Sequence, residues 1–84
     1  MPRVLPAVRR RLNGTAVRAL REAIGISSRD FARNCGISGP YLSNIELRGR
    51  QPRPQVVAAI ARELGVSVAT IAPAIDHQPE QVGA

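Results

Sequence analysis

Residues 26–47, ISSRDFARNCGISGPYLSNIEL, hold two short helical patterns joined by three residues. Ser27 stands before the first pattern, and Asp30 three residues later completes the polar pair of a capping box, which predicts a helix over 28–35. Phe31 and Cys35 lie four apart, on one face of that helix. The connector Gly36-Ile37-Ser38 follows, and Ser38 caps a second helix over 39–48, whose Leu42 and Ile45 turn inward. So tight a turn holds two helices at a steep angle, with Ile37 plugging the space between them. The outward face is then Gly39, Pro40, Tyr41, Ser43, Asn44 and Arg48. A helix with small and amide side chains at its leading end fits a groove about 12 Å wide, the width of the B-DNA major groove.

Outside this stretch the punctuation is equally regular. Asn13 caps a helix over 14–24 with Val17, Leu20 and Ile24 on one face. Pro54 suits the first position of a helix over 54–64, and Val57, Ile60, Ala61 and Leu64 give it an i, i+3, i+4, i+7 stripe. Ser67 caps a fifth helix over 68–75, with Val68, Ile71 and Ile75 on one side. Gly25, Gly36, Gly49 and Gly65 each stand where a helix should stop. No segment alternates long enough to predict a strand, so the fold class is all-α, a compact five-helix domain over 13–75. Residues 1–12, MPRVLPAVRRRL, read as a flexible basic arm, and residues 76–84, DHQPEQVGA, as a polar acidic tail.

Composition narrows the chemistry. The chain has 84 residues, room for one domain. One cysteine, Cys35, and one histidine, His77, provide neither a disulfide framework nor a zinc site, and no carboxylate pair has catalytic spacing. No enzyme, cofactor, metal or small-molecule ligand is expected. Cys35 reads as inert core. No stretch approaches the roughly 20 apolar residues of a membrane span or has the form of a signal peptide, so a cytoplasmic protein is expected. All twelve basic residues are arginine against six acids, a net charge of +6, concentrated in the front and body of the chain. That balance suits a polyanion. With Phe31 and Tyr41 the only aromatics, the composition argues against a stacking platform for single strands.

The chain from about 12 to 75 resembles the lambda-repressor/Cro-type helix-turn-helix family. The matching residues are Leu20-Arg21, Phe31-Ala32, Gly36-Ile37-Ser38, Tyr41-Leu42-Ser43, Ile45-Glu46, Gly49, Pro54, Ile60-Ala61 and Leu64-Gly65-Val66-Ser67. Three departures stand out. The family's glutamine at the second position of helix two, a phosphate contact, is here Ser28. The first two positions of the reading helix are Gly39 and Pro40, which offer a base no hydrogen bond. The glycine ending that helix sits one residue late, at Gly49, which leaves Arg48 on its last turn.

The resemblance implies a sequence-specific double-stranded DNA-binding transcriptional regulator, Cro-like or a minimal repressor of a phage or bacterium. Asn44, Ser43, Tyr41 and Arg48 are the candidate base readers, Asn44 first, because its amide can pair bidentately with adenine. Ser28, Arg29, Arg33, Ser38, Arg50 and Arg53 are candidate phosphate contacts, and Arg9, Arg10 and Arg11 could follow a groove as an arm; each could equally be a solvated surface residue. The resemblance implies a structural ion pair between Arg21 and Glu46. It further implies a homodimer, through helix five and the tail, on a palindromic operator. The competing reading is an antitoxin or a phage or host interaction protein on the same fold.

Overall fold

Five α-helices follow one another through the computed structural model, which describes residues 9–75. They are α1 (Gly14–Ile24), α2 (Ser28–Cys35), α3 (Gly39–Arg48), α4 (Pro54–Leu64) and α5 (Val68–Ile71). The predicted starts are observed. The side-chain oxygens of Asn13, Ser27, Ser38 and Ser67 accept from the backbone N–H of Ala16, Asp30, Tyr41 and Thr70. Each cap satisfies a donor that the helix leaves without a partner. The capping box at Ser27 is only half made, because the Asp30 carboxylate turns outward and accepts from Arg33 Nη2 at 2.8 Å.

The helices close on a core in which Val17, Phe31, Leu42, Ile45, Ile60 and Ile71 are fully buried. α3 packs against α1 and α2, which α4 joins from the other side, and Leu20, Ile37, Val57 and Leu64 fill the edges. Ile24, expected on the buried face of α1, is instead half exposed, since it lies on the last turn, beyond the reach of the neighbouring helices.

Two regions depart from the expected architecture. The fifth helix stops at Ile71 rather than 75, because Pro73 lacks an N–H and drives Ala72 out of helical geometry, to φ −139° and ψ 73°. Residues beyond it run extended and antiparallel to residues 9–13. Arg11 N–H donates to the Pro73 carbonyl at 3.4 Å, Asn13 N–H to Ile71 at 2.7 Å, and Ile75 N–H to Arg9 at 3.0 Å. Arg10 and Ala74 face each other as a bridge. Part of the segment read as a flexible arm is thus an ordered extended stretch held by a single bridge, and Leu12 at its end belongs to the core. Residues 1–8 of the arm and the tail 76–84 lie outside the described residues.

The outer edge of this extended stretch is closed by a side chain. Gln51 Oε1 accepts from Leu12 N–H at 2.7 Å, and Gln51 Nε2 donates to the Leu12 carbonyl at 3.1 Å and to the Gly49 carbonyl at 3.3 Å. The amide stands in for a neighbouring strand and ties residues 9–12 to the loop after α3. Gln51→Ala should lower stability by about 1–2 kcal/mol, the cost of leaving half-buried backbone groups unsatisfied. It should also remove the slow hydrogen exchange of the Leu12 amide; an amide as protected as before would show that the clasp carries nothing.

Candidate nucleic-acid interface

The connector between α2 and α3 sets their relation. Gly36 takes φ 75°, a left-handed conformation that a side chain would strain, and its N–H closes onto the Ala32 and Arg33 carbonyls. Ile37, partly buried, packs against the core and seats the start of α3 beside the start of α2. A shallow groove of about 510 Å³ runs between the two leading ends, lined by Ser28, Arg29, Arg33, Gly39 and Ser43 among others. Candidates drawn from two separate helices therefore share one surface.

α3 has a polarised circumference. Leu42, Ile45 and Glu46 are buried; Gly39, Pro40, Ser43, Leu47 and Arg48 are exposed, and Asn44 is half-buried at the edge of the exposed side. Pro40 and Leu47 lie near the middle of the outward face with Ser43 and Asn44 to either side, and Arg48 and Tyr41 follow beyond Asn44 on its flank. Tyr41 is partly buried, with the Arg50 guanidinium carbon 5.1 Å from its ring centroid, a cation–π stack that couples these two candidates. Arg33 is held at its tip by Asp30, whereas Arg29, Arg48, Arg50 and Arg53 are in no ion pair among the described residues. Ser38 uses its hydroxyl oxygen as the α3 cap, leaving its O–H proton to donate elsewhere.

In the expected arm, Arg10 Nη1 donates to the Ala72 carbonyl at 3.0 Å, which turns this guanidinium onto the protein; Arg9 and Arg11 are exposed. Leu47, an exposed apolar residue on the outward face of α3, was not among the sequence candidates. Its position seven after Pro40 was the available signal.

Beneath the outward face of α3 lies the ion pair. Arg21 Nε donates to Glu46 Oε2 at 2.8 Å and Nη2 to Oε1 at 3.1 Å, while Nη1 donates to the Ile26 carbonyl at 2.9 Å. Both side chains are over nine-tenths buried. The hydrogen bond to Glu46 raises the Arg21 pKa above its ordinary value, against the lowering effect of desolvation. A raised folded-state pKa means that Arg21 keeps its charge, and its part of this stabilisation, up to strong alkali. The pair fixes the far end of α3 to α1 and to the turn before α2. Burial pushes the Cys35 thiol up to about 11, with Glu63 adding to it and Arg62 opposing, so the group stays a neutral core thiol at neutral pH.

Comparison with known proteins places this geometry. A profile of the family described as Helix-turn-helix matches residues 17–71. An uncharacterized HTH-type transcriptional regulator of Mycobacterium tuberculosis is 41% identical over 54 residues, 64% of this chain and 39% of that protein. The chain therefore spans about two fifths of the length of that relative. Among solved structures, the biofilm master regulator SinR in complex with DNA aligns with a TM-score of 0.63 at 31% identity, covering 68% of this chain and 92% of that one. The c2 repressor in complex with a synthetic operator has the same fold, with a TM-score of 0.65 at 24% identity, over 69% of this chain and 88% of that one. The caps, the tight Gly36-Ile37-Ser38 turn, the outward-facing α3 and this similarity lead to one conclusion: the chain belongs to the helix-turn-helix family, with the lambda-repressor type of fold.

Proposed function

We propose that this protein is a sequence-specific double-stranded DNA-binding transcriptional regulator that lays α3 in the major groove. The observation that carries this reading is the groove between the leading ends of α2 and α3, where Ser28, Arg29, Arg33 and Ser43 converge beside a helix face left free of the core. Asn44 and Ser43 read base edges; Tyr41 and Arg48 read from the flank. Ser28, Arg29, Arg33, Ser38, Arg50 and Arg53 hold phosphates, with Arg9 and Arg11 continuing the basic surface and Arg10 bracing it. SinR, a relative in fold and sequence, was solved in complex with DNA, which supports the same class of ligand here.

Two copies bind together on a palindromic operator. The surface for this is a largely apolar groove of about 530 Å³, where Leu12, Pro54, Val57, Val68, Ala72 and Ile75 stand beside Arg10, Arg11 and Gln51, at the fifth helix and the extended segment that follows it. Ile75 is 48% exposed there. A dimer would cover it and place two α3 helices about one helical turn of DNA apart.

Salt dependence of duplex binding tests the phosphate contacts. Arg29→Ala should weaken binding to all sequences alike and reduce the log–log slope by about 0.9, one released counterion. Equal slopes for the two proteins would remove Arg29 from the interface.

A further inference from the structure

The outward face of α3 is less polar than its family resemblance implies. At 100° per residue Pro40, Ser43, Asn44 and Leu47 fall within an arc of about 100°, opposite the buried Leu42, Ile45 and Glu46. Two of these four are apolar. Leu47 is 61% exposed, and Pro40 is exposed at the first turn of the helix. Gly39 beside it has an ordinary backbone, and a Cβ there would meet nothing within 4 Å, so the fold leaves this corner bare without requiring glycine. Arginines border the face on both sides: Arg29 from α2, Arg48 and Arg50 from the end of α3, none of them in an ion pair among the described residues. An apolar stripe inside a cationic border fits a partner that is anionic outside and apolar within. Duplex DNA has that form in its major groove, where the thymine 5-methyl group is the apolar feature between two phosphate backbones.

We propose that Pro40 and Leu47 form an apolar reading edge that packs against thymine 5-methyl groups, so that part of the specificity of this protein comes from methyl contacts rather than hydrogen bonds. Pro40 has no N–H and no polar side-chain atom; it contributes shape and apolar surface alone. Gly39 gives the base edge room to reach the proline ring. The two residues are about 10 Å apart along the helix, at seven residues of 1.5 Å rise, so they meet different base pairs. Asn44 and Ser43 lie between them and supply the hydrogen bonds. This inference rests on the DNA-binding reading above.

The test replaces thymine by deoxyuridine, one position at a time, in a duplex selected for binding from a random pool. The exchange removes the 5-methyl group and leaves base pairing unchanged. Wild-type protein should lose affinity about fourfold at each contacted thymine, the ratio that burying one methylene-sized group supplies. Leu47→Ala should abolish the sensitivity at one thymine, and Pro40→Ala at another, with each variant melting as the wild type does. A wild type indifferent to every deoxyuridine would overturn the reading edge while leaving DNA binding intact. Variants that keep the full wild-type sensitivity would overturn it equally. If the wild type binds no duplex, the DNA-binding reading fails and this inference with it.

Discussion

Glu46→Ala should destabilise the protein by about 3–5 kcal/mol, because it leaves the Arg21 guanidinium buried without its carboxylate. Two charge-assisted bonds disappear, and only the Ile26 carbonyl remains as a partner for Arg21. Against the roughly 5–15 kcal/mol that separates folded from unfolded states in domains, such a loss leaves a marginal protein. Chemical denaturation is the measurement, with the midpoint falling and the slope unchanged. The double variant Arg21→Met/Glu46→Leu should recover most of the loss, since well-packed apolar residues commonly replace a buried pair at little cost. Sequence preference, measured on the fraction still folded, should not move, because Glu46 faces inward. A Glu46→Ala protein with normal melting and altered preference would place this side chain on the DNA instead.

Gly14→Ala should be nearly as damaging, by a different route. Gly14 opens α1 against the far end of α3. A Cβ there would overlap the Ile45 carbonyl oxygen and would come within 3.0 Å of the Ile45 carbonyl carbon and 3.1 Å of Glu46 Cα. All three are backbone atoms of α3, so no side chain can swing aside and one helix must move. Overpacking of this kind costs about 1–3 kcal/mol. For a domain of this size that is a fall in melting temperature of about 4–8 °C per kcal/mol. The shift also tilts α3, so duplex affinity should drop in protein that remains folded. Gly39→Ala is the control: it adds the same methyl at the other end of α3, into open space, and should leave the melting temperature where it was. Similar melting for Gly14→Ala and wild type would show that the two helices do not approach as described.

The contrast between these two glycines shows what the chain declares in sequence and what it does not. Helix starts are local matters, decided by a polar side chain and the next three residues, so Asn13, Ser27, Ser38 and Ser67 marked them correctly. The same holds for the Gly36 turn, and with it the pairing of α2 and α3. Gly14 looked like any permissive residue, because what it avoids is the backbone 31 and 32 positions further on. Gln51 and Leu12 are 39 apart, and nothing near either one announces that an amide will pair with the backbone of the other. Leu12 read as part of an arm for the same reason. Pro73 is a different case: its signal was local, and it ends α5 four residues before the apolar spacing of Ile71 and Ile75 suggested. On the outward face of α3, residue type drew attention to Asn44 and Ser43 but not to Leu47, whose exposure depends on how α3 is seated.

Selection of bound sequences from a random duplex pool at physiological salt tests the central claim most directly, that the outward face of α3 reads double-stranded DNA. The wild type should enrich a palindromic consensus with thymines among its fixed positions, and Asn44→Ala should relax the preference at one base pair per half-site by about 1–3 kcal/mol. A pool that stays random after repeated rounds, or an Asn44→Ala protein that selects the wild-type consensus unchanged, would contradict it.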